Sequence, residues 1–109
     1  MTSEQFESVY ANQVAIEQDI LIDRAVAYAT KGNRLGNFYE GAQLNDSHPM
    51  RYAFNLMSKH IIALRDLIIR VEAGEEASEE KITDYVTDIR NYSLLIKALH
   101  IDQQERNES

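Results

Sequence analysis

The stretch EEKITDYVTDIRNYSLLIKALH, residues 79–100, decides the fold. Its apolar residues recur every three to four positions, the spacing that places side chains on one face of an α-helix. Ser78 stands before it as a candidate N-cap, and Glu79 and Glu80 suit the positive end of a helix. The segment therefore predicts a long amphipathic helix with one apolar seam, made of Ile82, Tyr85 or Val86, Ile89, Tyr92 or Ser93, Ile96 and Leu99.

The same periodicity predicts three helices upstream, over residues 4–30, 38–44 and 49–73. Candidate N-caps are Ser3 for the first helix, Asn37 for the second, and Ser47 or His48 before Pro49 for the third. Gly32 and Gly74 follow the first and third helices, where glycine commonly ends a helix.

These elements predict an all-α fold, a small bundle of three long helices and one short helix. We expect a single helical domain over residues 1–101 and a flexible polar tail over residues 102–109. The third and fourth helices are joined by few residues, so they should pack antiparallel. Three long amphipathic helices enclose a thin core in a chain of 109 residues, and we therefore expect a homo-oligomer.

Composition excludes several classes of protein. The net charge of −7 argues against general nucleic-acid binding and against a membrane surface, although a local basic pocket or a metal could still receive a phosphorylated ligand. No apolar run is long enough to span a bilayer, and the acidic start MTSEQFESVY does not resemble a secretory signal. The absence of cysteine is compatible with a reducing compartment, so we expect the protein to be cytoplasmic.

An acid ridge, formed by Glu80, Asp84 and Asp88, runs along the last predicted helix at a spacing of four residues. It is either solvated surface, or paired with bases from another helix, or a seat for a divalent cation. Hard cations such as Mg²⁺ bind carboxylates together with water and substrate phosphates. Asp19 and Asp23 repeat the spacing on the first helix.

Other candidate residues surround this ridge in the predicted bundle. Lys59 lies beside the apolar seam of the third helix, where it could pair with Asp84 or Asp88 or contact a phosphate. His60, on the seam itself, is interpreted as a packed, hydrogen-bonded residue. The segment GNRLGNFYE, residues 32–40, could hold an anion through backbone N–H groups.

Three segments, NFYE (37–40), KHIIAL (59–64) and DYVTDIRNY (84–92), together resemble a helical family common in bacteriophages, nucleotide modification associated domain 1. That family has been linked to the MazG-type all-α nucleoside triphosphate pyrophosphohydrolases. The resemblance implies that Asp84 and Asp88 hold Mg²⁺. No predicted helix of this chain carries the Glu-Glu-x-x-Glu pattern of MazG-type enzymes, which favours binding over hydrolysis.

Two functions are expected from the resemblance and the residues. The first is a phage-type nucleotide-binding protein which, if catalytic, is a Mg²⁺-dependent nucleoside triphosphate pyrophosphohydrolase, located in the host cytoplasm if phage-encoded. Its metal would sit on Asp84 and Asp88, with Glu40 as the catalytic carboxylate and with Asn37, Lys59 and Tyr92 contacting substrate. The alternative is a non-catalytic oligomer that sequesters a nucleotide signal or inhibits a host protein.

Overall fold

A computed structural model describes residues 1–24 and 34–108 of the chain. Four α-helices make up this part of the protein, α1 (Ser3–Gln18), α2 (Gly36–Leu44), α3 (Pro49–Glu72) and α4 (Glu79–Glu108), and a π-helical segment, Asp19–Arg24, continues α1. The described residues contain no β-strand, so the predicted all-α fold is confirmed. Within the same ranges, no helix has the length and apolar character needed to cross a membrane.

The N-cap of α1 is Thr2, not Ser3 as predicted. The Thr2 hydroxyl accepts a hydrogen bond from the Gln5 backbone N–H, and the Gln5 side chain accepts one from the Thr2 N–H, which completes a capping box. The regular α-helix changes after Gln18 to π-helical geometry, which runs from Asp19 to Arg24, and the predicted end of the helix at residue 30 lies outside the described residues. The predicted stop at Lys31 and Gly32 lies outside the described residues.

The short helix α2 begins at Gly36, two residues earlier than a cap at Asn37 would allow. Its N-cap is Leu35, which makes no side-chain capping bond, so the prediction for Asn37 was wrong. Gly41 is buried against Tyr52 of α3, and a Cβ atom there would overlap the tyrosine ring. Phe38 meets the same ring edge-on, with centroids 6.5 Å apart, so α2 is fixed on the N-terminal part of α3.

The helices α3 and α4 form the predicted antiparallel hairpin. His48 caps α3 by accepting the Met50 N–H through Nδ1 at 3.1 Å, with Pro49 in the first turn. Gly74 ends the helix with a φ of +99°, a left-handed conformation that favours glycine. The N–H groups of Gly74 and Glu75 bond back to the carbonyls of Val71 and Arg70, the two bonds of a Schellman motif.

The core is small and lies where α2, α3 and α4 meet. Its buried apolar residues are Ala42, Ala53, Met57, Leu67 and Leu99. Leu64 and Ile89, which the predicted seams placed in the core, are only half-buried. No residue of α1 is buried, because that helix packs mainly against α4 alone.

The last helix extends past His100 and includes most of the segment expected to be a tail. Asp102 accepts hydrogen bonds from the Tyr39 hydroxyl at 2.7 Å and from Arg106 Nε at 2.9 Å. The Arg106 guanidinium also lies 4.0 Å from the centroid of the Tyr39 ring. These contacts join α2 to the end of α4 and explain why the helix continues to Glu108; the flexibility of this segment stays a prediction.

Candidate functional site

The acid ridge contacts another helix at one residue. Oδ2 of Asp88 lies 3.2 Å from Nδ1 of His60 on α3, with both side chains half-buried. Asp84 and Glu80, one and two turns earlier on α4, are exposed. Of the three alternatives for the ridge, pairing with a base is therefore realised at Asp88, while Glu80 and Asp84 lie in solvent.

Tyr92 completes a three-residue cluster with His60 and Asp88. Its ring is stacked on the imidazole, with centroids 5.4 Å apart and an interplanar angle of 25°. Burial raises the pKa of the Tyr92 hydroxyl above its ordinary value, and the charges of Asp88 and Tyr52 raise it further. The phenol is thus neutral in the physiological range, where it offers a hydrogen-bond donor and a flat apolar surface beside a carboxylate.

His60, and not Lys59, is the basic residue that contacts the acid ridge. Lys59 is exposed and makes no ion pair within the described residues. Consecutive residues are rotated by about 100° around a helix, so His60 faces α4 while Lys59 points to one side. Lys59 therefore pairs with neither Asp84 nor Asp88 in the structure, and it neighbours the cluster through its sequence position beside His60.

Glu40 and Asn37 are not brought together with the acid pair. Both are exposed on α2, whose Tyr39 contacts Asp102 near the end of α4. Asp102 follows Asp88 by fourteen positions, a separation of about 21 Å along a helix. Glu40 therefore lies near the opposite end of α4 and cannot share a ligand shell with Asp84.

Arg34, in the segment expected to hold an anion through its backbone N–H groups, is engaged elsewhere. The Arg34 guanidinium donates to the Leu21 carbonyl, at the exposed surface of the π-helical segment. This contact connects the described residues on the two sides of positions 25–33. At least one N–H group of the Arg34 guanidinium is therefore used in a bond within the protein.

The acid pair fits one mode of Mg²⁺ binding and not another. Within residues 1–24 and 34–108, no three His, Asp or Glu side chains come together as a metal-binding group, so Asp19 and Asp23 form no such group with the ridge. A cage made by protein ligands alone is therefore not formed there. Asp84 and Asp88, one turn apart, fit an ion held by one or two carboxylates, water and phosphate oxygens.

Sequence reasoning missed the contacts that join α1 to α4. The Gln13 amide donates to the buried Thr87 hydroxyl at 2.7 Å, and Arg90 pairs with Glu17. The hydrogen bond that Arg90 donates to Glu17 raises the pKa of the Arg90 guanidinium. The residue numbers of the bonded partners increase together, from Gln13 and Thr87 to Glu17 and Arg90, so α1 and α4 run parallel. The periodicity of either helix could not have predicted which residues are partners.

In comparisons with protein families, with curated proteins and with solved structures, nothing matches this chain.

Proposed function

We propose that the protein binds a nucleoside phosphate on the surface formed by Asp84, Asp88, His60 and Tyr92. The observation that carries this proposal is the stacked His60–Tyr92 pair held against the Asp88 carboxylate. Aromatic faces stack with nucleobases, and every base offers such a face. A planar aromatic surface and a carboxylate pair thus lie side by side on the α3–α4 hairpin.

Mg²⁺ would allow the acidic surface to bind an anionic ligand, because the cation would offset the repulsion between the carboxylates and the phosphates. Asp84 is exposed and available, and Asp88 keeps a second carboxylate oxygen beyond the one that faces His60. The two carboxylates would hold the ion through oxygen atoms or bound water, and the phosphates would complete its shell. The Lys59 ammonium would act on the phosphates as a point charge from the neighbouring position.

Binding is better supported than hydrolysis. Glu40, the expected catalytic carboxylate, lies near the other end of α4, and among the described residues no third His, Asp or Glu joins Asp84 and Asp88 in a metal-binding group. A general base must come within hydrogen-bond reach of the water it activates. We therefore favour a protein that holds a nucleotide without cleaving it.

Isothermal titration with each ribonucleoside and deoxyribonucleoside triphosphate, with and without Mg²⁺, tests this proposal. Asp84→Asn, Asp88→Asn and Tyr92→Ala should each weaken binding about tenfold or more, because each removes a charged or stacking contact. Tyr92→Phe keeps the ring and should retain most of the affinity. Glu80→Gln, on the same ridge but one turn away, is the matched control. Pyrophosphate release would reveal hydrolysis.

A second candidate, the non-catalytic oligomer that inhibits a host protein, draws on a different observation. Phe6, Val9 and Tyr10 of α1 are 63%, 52% and 58% exposed. An apolar helix face that is exposed in this way is typical of a surface that binds another protein. Failure of every nucleotide to bind with Mg²⁺ present would reject the first proposal and leave this one.

A further inference from the structure

The isolated chain exposes more surface than a compact monomer of its mass. Its accessible area is 8213 Å² at 12.5 kDa. A compact monomer of this mass exposes about 6200 Å². The radius of gyration is 16.6 Å, against about 13 Å for a compact chain of this length. The excess of about 2000 Å² is of the order that each partner buries in an obligate dimer.

Part of this surface is a second apolar stripe on α3, which we call the outer stripe: Phe54, Ile61 and Ile68. Each member follows a position of the inner face at Ala53, His60 and Leu67, and so lies about 100° further around the helix. The outer stripe residues are 43%, 41% and 48% exposed. Their spacing of seven residues is the repeat by which helices pair over a long seam.

The outer stripe continues into an open groove between α3 and α4. The groove has a volume of about 440 Å³ and is lined by His48, Met50, Arg51, Phe54 and Ile96. Its lining is mainly apolar, and the Arg51 guanidinium lies 5.5 Å from the centroid of the Phe54 ring. The groove could accept an apolar side chain from a facing helix.

We propose that a second copy of this chain covers the outer stripe, with the two α3 helices antiparallel about a twofold axis at Ile61. Ile61 then faces the partner's Ile61, and Phe54 with its groove faces the partner's Ile68. Arg51 falls within one position of the partner's Glu72, so opposite charges meet at both ends of the seam. Two α3–α4 hairpins joined in this way form a four-helix bundle.

The self-complementarity of the stripe selects a second copy over an unrelated protein. A twofold interface requires that each residue meets its symmetric counterpart on the same patch. The outer stripe is symmetric in position about Ile61, and its ends carry opposite charges at Arg51 and Glu72.

Sedimentation equilibrium of the full chain tests the dimer, with a mass of twice 12.5 kDa expected for the wild type. Ile61→Glu would place two carboxylates together on the axis and should raise the dimer dissociation constant by about 100-fold or more. Ile101→Glu, at a position 46% exposed near the end of α4, is the matched control and should remain dimeric. Circular dichroism confirms that both variants keep their helices.

A charge exchange tests the antiparallel register. Arg51→Glu and Glu72→Arg should each weaken the dimer, and the double variant should restore it, because the two charges then exchange places across the axis. Since the chain has no cysteine, Ile61→Cys should form an intermolecular disulfide on oxidation, whereas Phe6→Cys should not. A monomeric wild type, an unaffected Ile61→Glu dimer, or cross-linking through Phe6→Cys alone would overturn the proposal.

Discussion

Asp88 on α4 and His60 on α3 lie 3.2 Å apart across the hairpin, at Oδ2 and Nδ1. The pair divides the acid ridge into two parts with different roles. Asp88 is held by a neighbouring helix, whereas Glu80 and Asp84 are exposed. A ridge that looks uniform in sequence is therefore not uniform in its surroundings.

Gly41→Ala should destabilise the protein by about 1–3 kcal/mol, the range for a side chain forced into a packed contact. The added methyl group would overlap the Tyr52 ring, which closes the contact between α2 and α3. Urea unfolding measures the loss. The control is Gln43→Ala, an exposed position on the same helix, which should change stability by less than about 0.5 kcal/mol. Equal effects would show that the Gly41–Tyr52 approach is not tight.

Gln13→Ala should cost about 1–3 kcal/mol, because it leaves the Thr87 hydroxyl buried without its donor. That hydroxyl accepts from Gln13 at 2.7 Å, and Thr87 is 2% exposed. Adding Thr87→Val to Gln13→Ala removes the stranded hydroxyl and should recover part of the loss in thermal melts. Asn12→Ala, exposed on the other side of α1, serves as the control. No recovery in the double variant would argue against a buried bond.

The α3–α4 hairpin could be predicted from the sequence because its two helices are adjacent in the chain and joined by a short turn. Gly74 reverses the chain, so residues at similar distances before and after it must meet. Met57 thus lies beside Ser93, and His60 beside Asp88. Pairing residues by their distance from Gly74 could have identified His60, and not Lys59, as the basic residue that faces the ridge.

The contacts of α1 and of the end of α4 could not be predicted in this way. Tyr39 and Asp102 are separated by 63 residues, and both are ordinary polar residues in sequence. Their meeting depends on where α2 crosses α3, which the buried Gly41 determines. The periodicity of α1 predicted an apolar face but not its partner, and most of that face is exposed.

Tyr39→Phe should raise the pKa of Asp102 toward its ordinary value, as measured by carboxyl NMR titration. The hydrogen bond from Tyr39, followed by that from Arg106, lowers this pKa in the folded protein. A lowered folded-state pKa stabilises the protein above the unfolded value of about 3.9, and the contribution is lost as pH falls through the folded value. The variant should therefore show weaker acid dependence of stability. An unchanged Asp102 titration would contradict the bond.

The last prediction concerns the acid ridge in metal-free protein. Asp84→Asn should leave stability unchanged or raise it, because it relieves like-charge repulsion of about 0.2–0.5 kcal/mol per pair. Asp88→Asn relieves only the repulsion with Asp84, whereas Asp84 also neighbours Glu80, and it weakens the contact with His60, a partly exposed pair worth less than about 1 kcal/mol. It should therefore be the less stable of the two variants in urea unfolding at low salt. In a His60→Ala background the difference should shrink to the Glu80–Asp84 repulsion, about 0.2–0.5 kcal/mol, because Asp88 then has no base to lose. A larger difference in that background would mean that Asp88 is held by something other than the imidazole. A destabilising Asp84→Asn would instead show that the exposed carboxylate has a structural partner.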